Sequence, residues 1–188
     1  EISEPGDYSL LAYYEGCSST SELISVIVLE LPEAEILNDI TSFCEGDELT
    51  LEASGGGELY TWYLDNQEVG TTTDNTFDTN LSGYFKVSVT VGSCSGLSEE
   101  VVIVKHPLPD VDLSFIGLTG SVDSNQVYLC YGESFVLAVP VSPTFEFQWF
   151  KNGQETGLGI STLSIAEEGE YYVEVISDDE CSNNSQVI

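Results

Sequence analysis

The chain has no arginine, one histidine and three lysines, against 33 aspartates and glutamates, for a formal net charge of −30 over 188 residues. A polyanion of this kind repels phosphate backbones and anionic lipid, which excludes nucleic acid as a partner. No apolar run approaches the ~18–20 residues of a membrane span, so no membrane insertion is expected of these residues. No segment carries an apolar i, i+3, i+4, i+7 stripe, and helix content is expected to be close to nil. The one histidine, His106, sits in the stretch Lys105-His106-Pro107-Leu108-Pro109. A Ser-His-Asp or Cys-His site would have to be built there on a linker, without the packed, oriented base that such chemistry needs. Zinc finds no ligand pattern, because the cysteines lie far apart in sequence.

What is present is a repeat. Cys44-Glu45-Gly46-Asp47 opens one copy, Trp62 sits in its middle and Cys94 closes it. Cys130-Tyr131-Gly132-Glu133 opens the next, Trp149 sits in its middle and Cys181 closes it. The opening and closing cysteines are 50 and 51 residues apart. Tyr60-Thr61-Trp62-Tyr63 matches Phe147-Gln148-Trp149-Phe150, and Asp65-Asn66 matches Asn152-Gly153, both good hairpin-turn pairs. Gly83, Phe85, Val87 and Val89 match Gly169, Tyr171, Val173 and Val175. A partial copy stands in front, with Gly6, Tyr8, Leu10 and Ala12 followed by Cys17 in the closing position. Fixed-period self-similarity of this sort marks a tandem array.

The repeats divide the chain into three: 1–32 are the last strands of one repeat, 33–109 a second repeat, and 110–188 a third that lacks most of its last strand. Residues 33–109 hold about seven short runs between turn signals, at 34–41, 48–54, 59–64, 67–69, 75–79, 84–91 and 97–105. Residues 110–188 repeat this plan with a longer insertion around Gly117–Gln126. In the front segment, strands are expected over 8–13 and 23–31. Short, evenly spaced strands predict an all-β chain of tandem immunoglobulin-like antiparallel sandwiches. The two Pro-bearing exits, at Pro32 and at Pro107–Pro109, read as stiff junctions rather than flexible linkers.

At these residues the chain resembles the immunoglobulin-like repeats of large secreted and surface proteins of the Bacteroidota. Those repeats carry Cys-x-Gly-acid, then Tyr-x-Trp-aromatic-x-Asn-Gly, then Gly-x-Tyr-x-Val-x-Val, a late cysteine and a Pro-rich exit. The resemblance implies an extracellular or cell-surface location, export by type IX secretion, and a stalk role in adhesins such as those of gliding motility. It implies neighbouring repeats of the same chain as partners, and a surface glycan or protein as a ligand. The alternative it leaves is an accessory or glycan-binding module of a secreted polysaccharide-degrading enzyme. The cysteines sit at strand ends rather than mid-strand, unlike those of antibody domains, and Phe85 stands where the pattern has Tyr.

One disulfide inside each repeat is expected, Cys44–Cys94 and Cys130–Cys181, tying a strand start to a loop at one end of each sandwich. Cys17 is expected to be unpaired here, with its partner upstream in a longer chain. Trp62 and Trp149 read as core residues, since a sandwich of this class buries a central Trp. Tyr63 and Phe150, on the opposite face, are the better candidates for stacking on a sugar. No cofactor is expected and no catalytic residue is assigned. With 33 acids, chance carboxylate pairs are certain, and a small sandwich has no deep cleft for them. Calcium is the one metal considered, with Asp110, Asp112, Asp178 and Asp179 as weak candidate ligands, although no ordered Asp-x-Asp-x-Asp-Gly loop is present. Asn80-Leu81-Ser82 and Asn183-Asn184-Ser185 match the glycosylation sequon.

Overall fold

The computed structural model describes residues 4–188, and it contains strands and turns but no helix among them. In chain order the strands are β1 (Gly6–Tyr8), β2 (Leu11–Tyr14), β3 (Cys17–Thr20), β4 (Ile24–Val26), β5 (Ser42–Cys44), β6 (Leu49–Glu52), β7 (Leu59–Leu64), β8 (Gln67–Thr72), β9 (Thr76–Thr79), β10 (Gly83–Val91), β11 (Cys94–Leu97) and β12 (Val101–His106). They continue with β13 (Ser114–Ile116), β14 (Ser121–Asp123), β15 (Gln126–Tyr128), β16 (Phe135–Ala138), β17 (Glu146–Lys151), β18 (Gln154–Leu158), β19 (Thr162–Ile165), β20 (Tyr171–Ile176) and β21 (Ser182–Asn184). The chain divides into two compact units. The first comprises Glu1–Asp39, Thr50–Phe77 and Gly83–Val102; the second comprises Ile40–Leu49, Asp78–Ser82 and Ile103–Ile188.

The second unit shows the sandwich pattern most fully. One sheet runs β13-β16-β19 and the other β18-β17-β20-β21. Immunoglobulin-type sandwiches carry their buried Trp on strand C, in the sheet that also holds strands F and G. That Trp is Trp149 on β17, fully buried, and its indole Nε1 donates to the Ile160 carbonyl at 2.9 Å. The alternation along β20 puts Tyr171, Val173 and Val175 inward, where they meet Phe135, Leu137 and Ile165 of the opposite sheet. Between β13 and β16 the insertion read in the sequence forms the hairpin β14–β15.

In the first unit β7 pairs with β8 and with β10. Trp62 on β7 is fully buried, stacks on Phe77 at 5.5 Å, and donates from Nε1 to Thr72 Oγ1 at 3.0 Å. Each hairpin turn, Asp65-Asn66 and Asn152-Gly153, holds both residues at positive φ, as a two-residue turn with the native strand twist requires. Each of these hairpins also has a register shift just after its Trp. The repeat read in the sequence is thus a repeat of backbone irregularities as well as of side chains.

Several boundaries differ from the sequence reading. The run at 34–41 contributes one isolated bridge, Ile36 to Ala53, rather than a strand. The run at 97–105 breaks at Ser98 into β11 and β12. In front, only Ile24–Val26 of the expected 23–31 strand is paired. The largest correction concerns the disulfides. One bond forms, Cys44–Cys181, with Cα atoms 5.5 Å apart and 137 residues of separation. Cys94 and Cys130 are free thiols, as is Cys17, so neither Cys44–Cys94 nor Cys130–Cys181 exists in this structure. Even spacing does not distinguish the two schemes, because both are periodic. Bond for bond, loop entropy hardly differs, since closing ~50 or ~140 residues is worth about 4 or about 5 kcal/mol on the chain-entropy model. Strand placement decides: β5, which ends at Cys44, lies beside β12 at the exit of its repeat.

Candidate functional site

The site is the junction around the disulfide, and all its residues lie in the second unit. β5 pairs in parallel with β12, so that Cys44 is the register partner of His106. The Glu45 amide extends that ladder by donating to the His106 carbonyl at 2.8 Å. Because β5 runs parallel to β12, its end at Cys44 lies beside the end of the exit strand at His106. The loop that carries Cys181 meets it there.

That loop is held by its own hydrogen bonds. The Ser177 amide donates to the Cys181 carbonyl at 2.9 Å, and the Cys181 amide donates to Ser177 Oγ at 3.3 Å. The Cys181 side chain is wholly buried. Two polar contacts flank the bridge. His106 Nδ1 lies 3.0 Å from Asp179 Oδ2. Asn183 Nδ2 donates to the Pro109 carbonyl at 3.0 Å. On the opening side, Lys105 Nζ donates to the Asn80 carbonyl at 3.4 Å. One covalent bond and two polar contacts therefore connect the segment Cys44/His106/Pro109 to the segment Asp179/Cys181/Asn183.

A corresponding arrangement is found within the first unit. Gly96 is buried two residues after Cys94, and a Cβ placed there would stand 2.0 Å from the Pro32 carbonyl oxygen. A Cβ on Gly92 would lie 3.7 Å from Leu29 Cδ1. Cys94 itself is half-buried at the start of β11, opposite Val91.

The remaining sequence candidates do not converge. Trp62 and Trp149 are inside and present no stacking face. Phe150 is half-buried and stacks on Tyr172 at 4.6 Å, with the rings nearly parallel, so much of its face is taken. Tyr63 is half-buried on β7, opposite Lys86. Asp110 Oδ1 accepts the Asp112 amide at 3.0 Å, Asp179 faces His106, and Asp178 is exposed. Among the described residues, no three His, Cys, Asp or Glu side chains gather in a way that would hold a metal ion. Of the two sequon asparagines, Asn183 has its side-chain amide engaged at Pro109.

Two functional details had no sequence signal. Ser98 and Ser185 are buried at equivalent places, where the last strand breaks. Ser98 Oγ accepts the Val87 amide and donates to the Glu99 carbonyl; Ser185 Oγ accepts the Val173 amide and donates to the Gln186 carbonyl. Both satisfy backbone groups that a strand break would otherwise leave buried and unpaired. Two serines among surface-like neighbours could have been flagged only by aligning the copies through the closing strand.

No family model matches the chain, and no curated protein does either. Solved structures of immunoglobulin-type proteins are similar in outline. The I-band fragment I67–I69 from titin matches with a TM-score of 0.44 at 15% identity, over 97% of this chain and 72% of that one. Murine CEACAM1b matches with a TM-score of 0.37 at 17% identity, over 82% of this chain and 96% of that one. The N-terminal eight Ig domains of Down Syndrome Cell Adhesion Molecule match with a TM-score of 0.36 at 12% identity, over 97% of this chain and 30% of that one. No residue role is carried over from any of them.

Proposed function

We propose that this chain is a non-catalytic spacer, a stalk segment of a long cell-surface adhesin or surface filament of the Bacteroidota kind. The observation that carries this reading is the covalent junction. A bond runs from the opening of one sequence repeat to the closing loop of the next, Cys44 to Cys181, and a covalent link of that kind would carry tension along an array. A disulfide favours an oxidising, extracellular setting. The Pro residues at the exit restrict backbone freedom next to it. The dense negative charge suits a solvated surface that keeps such an array from associating with itself.

The domain reading of 1–32, 33–109 and 110–188 belongs to this proposal, with neighbouring repeats as the partners and any glycan or protein ligand bound elsewhere on the array. Function on such a scaffold lives in grafted sites, and the described residues present none with convergent polar groups. Deletion of this segment from the producing cell tests the reading. Attachment or surface movement is expected to fall while polysaccharide breakdown continues. Normal adhesion with lost polysaccharide breakdown would instead assign the chain to an enzyme's accessory module.

A further inference from the structure

Cys94 and Cys130 are left free by the pairing observed, and each has an equivalent that is bonded. Cys130 corresponds to Cys44. Both are followed by the same tight turn, in which the amide three residues on donates to the cysteine carbonyl at 3.1 Å, with a positive-φ glycine between, Gly46 or Gly132. Cys94 corresponds to Cys181, 87 residues on.

The correspondence extends to what surrounds them. Asp179 meets His106, and Asn183 meets Pro109, beside the Cys44–Cys181 bond. Moving back by 87 residues on the closing loop gives Gly92 and Gly96; moving back by 77 on the exit strand gives Leu29 and Pro32. These are the pairs that lie close in the first unit, where a Cβ on Gly96 would meet the Pro32 carbonyl and one on Gly92 would reach Leu29. Two different pairs thus obey the same two offsets. The loop of Cys94 is docked on the exit segment 27–32 as the loop of Cys181 is docked on 104–109. In the bonded junction the thiol partner comes from β5, parallel to Val104–His106. The equivalent residues, Ile27–Leu29, have no strand beside them among the described residues, and Ile27 and Leu29 are 79% and 52% exposed.

We propose that Cys94 and Cys130 are the two unjoined halves of a repeating staple. Each bonds a repeat of this same kind: Cys94 takes the opening cysteine of a preceding repeat, on a strand laid parallel to 27–29. Cys130 takes the closing cysteine of a following repeat. Cys130 lines an open groove of about 1360 Å³ together with Tyr128, Phe135, Tyr171 and Ile188. Each bond joins two sulfurs. Both thiols lose their protons, and the two electrons pass to a small disulfide oxidant of the glutathione class, which is reduced to two thiols. The rule is the opening cysteine of repeat n with the closing cysteine of repeat n + 1. The resulting contact is head-to-tail, between different surfaces of successive repeats. This inference goes beyond the spacer reading and is independent of what the array carries.

Two peptides test it on the intact chain. One is residues 38–49 of this sequence with Cys44 activated as a 2-thiopyridyl mixed disulfide; the other is residues 176–186 with Cys181 activated likewise. Exchange releases thiopyridone and leaves the peptide disulfide-linked to the protein thiol it reaches. The opening peptide is expected to label Cys94 severalfold faster than Cys17, although Cys17 is the more exposed thiol and lies in a like hairpin opposite Tyr14. The closing peptide is expected to label Cys130 in preference to Cys94. Scrambled peptides with the same activated cysteine are expected to lose both preferences. Labelling of the three thiols in order of exposure by either peptide, or the opening peptide choosing Cys130, overturns the proposal.

Discussion

Cys44 and His106 are register partners across the parallel pair β5–β12, and each meets a residue of the same closing loop, Cys44 bonding Cys181 and His106 meeting Asp179. The opening cysteine therefore belongs, physically, to the exit of its repeat. The bond to Cys181 forms at that place, and its energetic consequences are measurable.

Removing either sulfur breaks the same bond. Cys44→Ser and Cys181→Ser are expected to lower unfolding free energy by similar amounts, about 2–5 kcal/mol, and the double variant by no more than either. Cys94→Ser and Cys130→Ser on the isolated chain are expected to change it little. Urea unfolding without reductant measures all five, and additive losses for Cys44 and Cys181 would show that they act separately.

Gly96→Ala tests the docking in the first unit. The added methyl would meet the Pro32 carbonyl at 2.0 Å, and a backbone atom cannot swing aside as a side chain does. The expected loss is about 1–3 kcal/mol, the range for overpacking. A thermal melt unchanged from wild type would mean that the loop of Cys94 does not rest on Pro32.

Tyr171→Phe isolates one hydroxyl. Tyr171 is buried at the start of β20, and its OH donates to the Glu167 carbonyl four residues upstream at 3.0 Å. This contact is the corner hydrogen bond of immunoglobulin-type domains. Its loss is expected to cost about 1 kcal/mol with little change in packing. The middle copy carries Phe85 at this place and does without the bond.

The third lysine gives a pH signature. Hydrogen bonding to Lys151 holds the Glu167 carboxyl below its ordinary value, and the same hydrogen bond raises the lysine. A carboxyl depressed on folding contributes stability above its unfolded pKa, and that contribution is lost as pH falls through the folded value. For Lys151 the sign is opposite: its contribution holds at neutral pH and is lost as pH rises through the raised value. NMR titration of Glu167 is expected to show a midpoint below that of an ordinary glutamate. Lys151→Ala is expected to return it upward.

The sequence made the strands and core legible because both follow side-chain periodicity. The alternation of Phe85, Val87 and Val89, the hairpin pairs Asp65-Asn66 and Asn152-Gly153, and the inward Trp62 and Trp149 are all local signals. The junction was only half legible. Cysteine spacing pointed to Cys44–Cys94 and Cys130–Cys181, whereas the bond formed is Cys44–Cys181. Pairing depends on β5 lying parallel to β12, a contact between segments about 60 residues apart that no local pattern encodes. Ser98 was hidden for a related reason: beside Glu99 and Glu100 it reads as a surface residue until the strand is seen to break there.

Non-reducing peptide mapping of the isolated chain, with free thiols alkylated before digestion, tests the junction most directly. The predicted result is one cross-linked species joining the Cys44 and Cys181 peptides, with Cys17, Cys94 and Cys130 all carrying the alkyl label. Recovery of Cys44 linked to Cys94, together with Cys130 linked to Cys181, would contradict it.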